Sequence, residues 1–463
     1  MSRIKVSRRS FLAGTAALAA GPTIISCSSL KQGKRPAPSD RLNVGFIGYG
    51  TMAQDNIGNF LNNDRVQVVS VCDPVYEAGL YGYSSDPNRK GGRIAGKRRV
   101  DEFYAQKLNK AGYNACKTFI DFRELLADPG LDAVVISTPD HWHAIQAICA
   151  ARAGKHIYGQ KPLSLCIAEG RAMADTVKAC GVTFQTGSQQ RSDNYFRMAC
   201  EFVRNGRIGK LKRIEVGLPG GFIRCGRKDE DYVQEPRPLP SWFSDFDIWL
   251  GPAKKRDFMP GLHNPLTWRN NFDYSGGLIT DWGAHHLDIV QWALGKDKSG
   301  PIAIENAKGD LPSFDAPFNV AKSYSFEVVY EDGTRVFVSD RFQNGIKFYG
   351  ENDKTIFVTR GKLETTPMEI MREKIKDGEV KLYKSSQHEA NFVDCVYTGA
   401  ETITPCETGH RSITIAHLAN IALRQGKSTV KWNPAAERFV NDSESDKLLT
   451  APMRAPWLGV FKG

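Results

Sequence analysis

Hydrophobic and polar positions first alternate along this chain in the manner of strand, turn and helix. Asn43-Val44-Gly45-Phe46-Ile47 is a short apolar run, and a helix-like segment extends from Thr51 to about Asn62. A β-rich run from Val66 to Cys72 ends at Asp73. The alternation returns with Ala133 to Ser137, a helix from about Trp142 to Ala153, and the run Lys155 to Tyr158. A helix near Ile167–Cys180 and the run Val182 to Thr186 complete it. Apolar strands separated by helices predict a parallel, doubly wound sheet with ligands at its carboxyl edge.

The pattern then changes. A helix-like stretch after Gln189-Gln190-Arg191 reaches Asn205, and Leu211 to Val216 reads as a strand. Tyr324 to Tyr330 meets Arg335 to Val338 across Asp332-Gly333, a strong hairpin signal. Ile346 to Gly350 and Thr355 to Val358 continue the alternation. A largely antiparallel sheet with helices on one side is expected. The fold class is therefore α/β, a Rossmann domain over residues 42–190 followed by an α+β domain over 191–463. Residues 220–266 are irregular and rich in Pro and Trp, as a segment walling a pocket or covering a sheet edge would be. The tail after Trp432 shows little periodicity and is expected to lie across another subunit.

A chain of 463 residues fits two cores, and 41% hydrophobic with 24% charged residues is a soluble composition. The net charge of +11 raises the question of nucleic acid. Four of those charges, Arg3, Lys5, Arg8 and Arg9, precede Cys27. The dense run Arg89 to Arg99 is glycine-rich and lacks interleaved aromatics for base stacking, so no nucleic-acid partner is expected. Ser7-Arg8-Arg9-Ser10-Phe11-Leu12, followed by the small apolar run Ala13 to Ala20, resembles a twin-arginine export signal. Ile24-Ile25-Ser26-Cys27 resembles a lipobox, and residues 28–41 form a linker in which Pro36 and Pro38 suit a tether. The expectation is export in folded form by the twin-arginine machinery to the periplasm or cell envelope. Cys27 would carry a lipid anchor, a plain cleavage site nearby being the alternative. Ten cysteines are scattered with no C-x-x-C pair, which marks neither a zinc site nor a disulfide framework. Cys72, Cys149 and Cys180 read as small core residues.

Candidate chemistry begins at the turn Gly48-Tyr49-Gly50-Thr51-Met52-Ala53, between a strand and a helix. Gly48 permits a tight turn, Gly50 lets backbone approach a pyrophosphate, and Ala53 keeps helix and strand close. The helix start offers unpaired N–H groups to phosphate. Asp73, 23 residues past Gly50, suits a ribose 2′-hydroxyl and would repel a 2′-phosphate. NAD is expected, with NADP as the alternative because Arg89, Lys90 and Arg93 lie close by in sequence. Thr138, Pro139 and His141 follow another strand and are taken with Gln189 as cofactor contacts. Capping or packing is the competing role for His141 and for His143.

Lys161, in Gly159-Gln160-Lys161-Pro162, also follows a parallel strand and should enter the cofactor crevice. Far downstream, Gly276 to Asp288 reads as a glycine turn entering a helix. Asp281 and His285, four apart, share one helical face there. A histidine beside a carboxylate suits proton transfer from a hydroxyl, and an ammonium can stabilise the alkoxide that forms. No third ligand cluster accompanies Asp281, His285 and His286, so no metal is expected.

The G-x-G-x-x-A turn, Lys161-Pro162 and the run Asp281-Trp282-Gly283-Ala284-His285-His286-Leu287-Asp288 together resemble the glucose–fructose oxidoreductase and inositol dehydrogenase (Gfo/Idh/MocA) family, over about residues 42 to 430. The resemblance implies that Lys161, Asp281 and His285 form the catalytic set, while His286, Asp288 and Trp282 pack or support the helix. It places Trp268-Arg269 near the nicotinamide and implies a sugar or glycoside substrate and association through an exposed sheet face. Gln160 departs from the family's glutamate, so Lys161 is either tuned lower or mainly positional. Arg224, Arg227, Trp242, His263 and Tyr274 are candidate pocket residues.

The reaction expected is hydride transfer between a tightly held nicotinamide cofactor and a ring hydroxyl of a sugar, polyol or glycoside, a 3-keto product included. One alternative is glycoside cleavage through transient oxidation. The other is a non-catalytic sugar- or cofactor-binding protein on the same fold.

Overall fold

The computed structural model describes residues 37–79, 89–223 and 233–462. The signal-like segment, Cys27, most of the linker, Arg224 and Arg227 lie outside the described residues. In the N-terminal unit ending at Asp40, the described residues form one 3-10 turn, Pro38–Asp40.

The remainder, Arg41–Gly463, is built on two sheets. The first has β1 (Leu42–Ile47), β2 (Val66–Cys72), β3 (Lys117–Phe119), β4 (Ala133–Ile136), β5 (His156–Gly159) and β6 (Phe184–Thr186) in the order β3-β2-β1-β4-β5-β6. All five pairings are parallel. Alternating side chains feed two cores, which is why these strands read as continuous apolar runs. Val44, Phe46, Val68 and Val135 pack with α1 (Thr51–Leu61) and α2 (Arg93–Lys107). Ile47, Val134, Ile136 and Ile157 pack with α3 (Asp140–Arg152) and α4 (Ile167–Cys180). The order reverses between β1 and β4, the position at which open α/β sheets form a ligand crevice.

The second sheet has nine strands, β7 (Arg213–Gly217), β8 (Ala303–Asp310), β9 (Ser323–Val329), β10 (Arg335–Ser339), β11 (Gly345–Tyr349), β12 (Thr355–Thr359), β13 (Lys362–Thr366), β14 (Val430–Asn433) and β15 (Arg438–Phe439). Only the β7–β10 pair is parallel. The expected hairpin is present, with Gly333 at φ +82° in the β9–β10 turn. Three helices lie against the sheet's buried face, α5 (Asn194–Arg204), α6 (Gly277–Leu294) and α7 (Cys406–Arg424). Helix α6 is buried on nearly every side, as its polar Asp288 shows by pairing with the buried Arg191 at 2.8 Å.

The tail packs within this chain: β15 pairs with β14, and the Trp457 ring sits 4.7 Å from that of Trp142. One expectation fails here. Cys180 is exposed at the end of α4, whereas Cys72 is buried as expected and Cys149 partly so. Among the described residues, no helix is long and apolar enough to cross a membrane.

Candidate active site

At the carboxyl edge of β1 the chain turns sharply. Gly48 takes φ +83°, and a Cβ there would stand 2.8 Å from the carbonyl oxygen of Ser137. Both facts require glycine. Gly50 is the N-cap of α1 and supplies no side-chain cap, so first-turn N–H groups face the crevice with a positive dipole end. Asp73 closes the far side. Its Oδ2 accepts from the Tyr49 N–H at 2.8 Å and its Oδ1 from the Val75 N–H at 2.9 Å. Burial nevertheless pushes its carboxyl up to about 6.

Gly48, Gly50, Thr51, Met52, Asp73, Thr138 and Pro139 line one crevice, as expected for a dinucleotide. The Ser137 hydroxyl and the whole Gln160 amide, also lining it, are buried without a hydrogen-bond partner among the described residues. Orphaned polar groups in a slot beside a glycine turn fit a cofactor that pairs with them.

Another wall comes from the irregular segment after residue 233. Ile248, Trp249, His263, Leu266 and Trp268 line the same crevice. Their position is set by contacts with the Rossmann domain. The Tyr76 N–H donates to Trp242 O at 2.7 Å, Ser244 N–H to Pro74 O at 2.8 Å, and Trp142 Nε1 to Trp249 O at 3.1 Å. Leu266 stands at φ +79°, a costly conformation for a branched side chain, where it lines both this crevice and the next cavity.

That second cavity measures about 770 Å³, within the range of small-molecule sites. Lys161 and Arg269 line both spaces, and Asp281 and His285 line the second. Lys161 Nζ donates to Asp281 Oδ1 at 2.9 Å and to the Asp281 carbonyl at 3.0 Å, while Arg269 Nε reaches the same Oδ1 at 3.1 Å. Burial opposes charge on Asp281, yet the fields of Lys161 and Arg269 hold its carboxyl below the usual range. Burial also lowers the Lys161 ammonium, with Asp281 resisting. His285, one turn along α6, is driven well below its ordinary value by burial and then by the charges of Lys161 and Arg360. It is a neutral imidazole at pH 7, able to accept a proton. Among the described residues no group of three or more potential ligands could hold a metal.

The match to known proteins settles the family. Residues 92–188 match the family model described as "Oxidoreductase family, NAD-binding Rossmann fold", and residues 201–459 match "Oxidoreductase family, C-terminal alpha/beta domain". The chain belongs to the Gfo/Idh/MocA oxidoreductase family. Myo-inositol 2-dehydrogenase of Thermotoga maritima is 38% identical over 330 residues, 67% of this chain and 83% of that protein. The 1,5-anhydro-D-fructose reductase of Ensifer adhaerens is 34% identical over 193 residues, 42% of this chain and 46% of the reductase. Scyllo-inositol dehydrogenase from Lactobacillus casei, solved with NAD(H) and scyllo-inositol, shares the fold at a TM-score of 0.54 and 16% identity, covering 84% of this chain and 99% of that one. This Gfo/Idh/MocA protein is thus an NAD-binding oxidoreductase.

Several expected contacts move. Tyr49 and Ala53 do not line the crevice: both are buried in the core on the α1 side of the sheet, and the Tyr49 ring fills the space over Gly96. His141 turns away into an aromatic cluster with Trp249 and Tyr274, its Nε2 3.2 Å from Trp249 O, and burial lowers it to about 3. His143 faces the carbonyls of Thr138 and Pro162 and so ties two crevice loops together. Gln189 lines the second cavity instead of the cofactor crevice. Of the candidate pocket residues, His263 lines the crevice, whereas Trp242 and Tyr274 pack in the aromatic cluster away from both spaces.

Sequence reasoning assigned no role to Asp140. It is buried, lines the crevice, accepts from Ser275 Oγ at 2.6 Å, and is lifted by burial to about 7 against the field of Arg269. Its position directly after Thr138-Pro139 was the available signal. Arg360 and Gln190, both lining the second cavity, were also missed as site residues.

Proposed function

We propose that this oxidoreductase removes hydride from a ring hydroxyl carbon of a sugar, polyol or glycoside held in the second cavity, with NAD in the crevice. The observation that carries the reading is the bridge between the two spaces. Lys161 lines both and is fixed by Asp281, one helical turn from the neutral His285. Gly48 and the start of α1 would hold the pyrophosphate, and Asp73 the ribose hydroxyls. When bound, the nicotinamide accepts the hydride. His285 takes the hydroxyl proton, and the Lys161 ammonium stabilises the developing alkoxide. Asp281 keeps that ammonium charged and in place. With Gln160 uncharged, the bias on Lys161 comes from Asp281.

The N-terminal address extends the proposal. Arg8-Arg9 and the following apolar run support export of a folded, cofactor-loaded protein to the periplasm or envelope, with Cys27 as the lipid-bearing residue. All eight described cysteines are thiols, in keeping with folding in a reducing compartment. The cofactor is then a resident group, not a diffusing cosubstrate. Half-exposed Phe337 and Tyr349, on the sheet face away from the helices, support association of copies there.

Native mass spectrometry of protein purified without added NAD tests this reading. Stoichiometric cofactor is expected, with the reduced-nicotinamide absorbance changing when sugar is added. Product masses separate a keto sugar from a cleaved glycoside. Protein that never transfers hydride from any sugar would refute the proposal. Lys161→Ala should lower turnover by orders of magnitude while leaving NAD binding largely intact; an unchanged rate removes Lys161 from the catalytic set.

A further inference from the structure

Two features of the cofactor crevice are left over once the pyrophosphate and the ribose hydroxyls have been placed. The first is Gln160, 3% exposed, whose amide lines the crevice with neither Oε1 nor Nε2 in a hydrogen bond among the described residues. A buried side-chain amide left wholly unpaired is costly, so its partner is expected from a ligand. The second is Gly187, just past β6. A Cβ there would stand 2.7 Å from Gln160 Oε1 and 2.9 Å from its Cδ. Glycine at 187 thus leaves a seat for the amide, and the Gly187 N–H fixes that seat by donating to Gly159 O at 2.7 Å. The Gln160 N–H donates to Ile136 O at 2.9 Å, which anchors its backbone.

Strand order says which part of the dinucleotide this amide meets. Across the carboxyl edge, the order β2-β1-β4-β5 places Asp73, Gly48, Ser137 and Gln160 in a row. Neighbouring strands are about 4.8 Å apart, so Gln160 lies about 10 Å beyond the glycine turn, on the side away from Asp73. With Asp73 on the adenosine ribose and Gly48 on the pyrophosphate, the nicotinamide end runs toward β5. Lys161, the next residue, lines the second cavity as well, whereas Gln160 lines the crevice alone. The amide therefore faces cofactor and not substrate.

We propose that Gln160 recognises the nicotinamide carboxamide, amide to amide: its N–H donates to the carboxamide oxygen, and its oxygen accepts from the carboxamide NH2. This rests on NAD occupying the crevice. Two parallel bonds at the edge of the ring fix its rotation, so that one face is presented to the second cavity. Neither bond depends on the charge of the ring, so Gln160 grips the oxidised and the reduced form alike. That suits a cofactor that stays bound through both half-reactions. A glutamate here could accept but not donate, and its charge would favour the oxidised pyridinium.

The test equilibrates the full-length protein with equimolar NAD and 3-acetylpyridine adenine dinucleotide, in which a methyl group replaces the carboxamide NH2. Bound dinucleotides are then released by unfolding and quantified by chromatography. Wild type should hold NAD over the analogue by at least tenfold, the scale of one buried polar group left unpaired. Gln160→Met keeps the length and loses both hydrogen-bonding ends, so the ratio should fall at least fivefold. Gly187→Ala, with Gln160 intact but unseated, should lower it too. In Gln160→Glu the preference for NAD should persist, and competition between oxidised and reduced NAD should shift at least tenfold toward the oxidised form. Equal occupancy by NAD and the analogue in wild type, an undiminished preference in Gln160→Met or Gly187→Ala, or no redox shift in Gln160→Glu would each overturn the inference while NAD still fills the crevice. Folded wild-type protein that takes up neither dinucleotide overturns the NAD reading as well.

Discussion

Replacing Asp281 by asparagine preserves the size of the side chain and removes one charge from the centre of the site. Lys161 Nζ lies 2.9 Å from Asp281 Oδ1, and the two side chains are only 9% and 12% exposed. At an effective dielectric of about 20, unit charges about 4 Å apart interact by about 4 kcal/mol. That agrees with the cost of about 3–5 kcal/mol for removing one partner of a buried pair. At about 1.4 kcal/mol per pKa unit it corresponds to roughly three units. Arg269, the other cation on this carboxylate, cannot lose its proton, so the change falls on Lys161. Burial already lowers Lys161, and without Asp281 its ammonium deprotonates at still lower pH. In the proposed mechanism the ammonium is the form that stabilises the alkoxide, so the rate falls as pH rises through this value. The alkaline limb of the pH–rate profile should therefore move to lower pH by up to about three units in Asp281→Asn. The assay is single-turnover nicotinamide reduction across pH, with circular dichroism confirming that the variant is folded. A folded variant with a measurable rate and an unmoved alkaline limb would refute the assignment of Lys161 as the group Asp281 holds charged.

Other perturbations reach different parts of the site. Gly48→Ala places a methyl 2.8 Å from a backbone oxygen and forces an L-residue to φ +83°, a cost of about 1–2 kcal/mol before the clash is counted. Retained NAD should fall at least tenfold on the scale of about 1.4 kcal/mol per decade, and full retention would show that this turn does not hold the pyrophosphate. Asp140, raised to about 7 from an ordinary 3.8, binds a proton in the native state that the unfolded chain releases. Its contribution to stability is full below about pH 4 and is lost as pH rises through about 7. Asp140→Asn should thus flatten the fall in Tm over that window, and a slope identical to wild type in scanning fluorimetry rules the assignment out. Trp457→Ala removes a 6% exposed ring packed on Trp142 and Phe122, both of which line the crevice. A loss of about 3–5 kcal/mol is expected with faster NAD release, and unaltered release kinetics would separate the tail from the cofactor site.

What the sequence revealed follows from how local each signal is. Strands β1, β4 and β5 are buried on both faces, so they read as apolar runs without reference to anything distant. Gly48, Gly50 and Asp73 obey a backbone requirement confined to one strand–turn–helix unit. Strand β8 escaped notice because Glu305, Asn306, Lys308 and Asp310 break the alternation and its pairing with β9 shifts register between Glu305 and Lys308. Asp140 looked like an ordinary helix-start carboxylate. Burial raises its pKa against the opposing pull of Arg269 and Ser275, and those neighbours come far later in the chain. His141 was assigned to the cofactor by its place after a strand. Only the packed arrangement of Trp249 and Tyr274 shows that its ring is enclosed by aromatics. Their segment has no periodicity from which that enclosure could be read. Arg360 belongs to a hairpin turn, where an arginine is ordinarily a solvent-facing residue.

The aromatic wall of the crevice has a consequence for the order in which the working protein is assembled. Gly48, Asp73 and Lys161 come from the first part of the chain, but Ile248, Trp249, Leu266 and Trp268 lie well beyond β6. A Rossmann sheet emerging during synthesis has an open cofactor edge. It acquires this second wall only after roughly 60–80 further residues have been made, at a chain elongation rate of about 5–20 residues per second. The interval lasts several seconds, during which a dinucleotide can enter a half-built slot. Docking of Trp242 and Ser244 onto residues 74–76 then narrows the way out. Under the proposed resident-cofactor reading, loading would accompany synthesis of the chain.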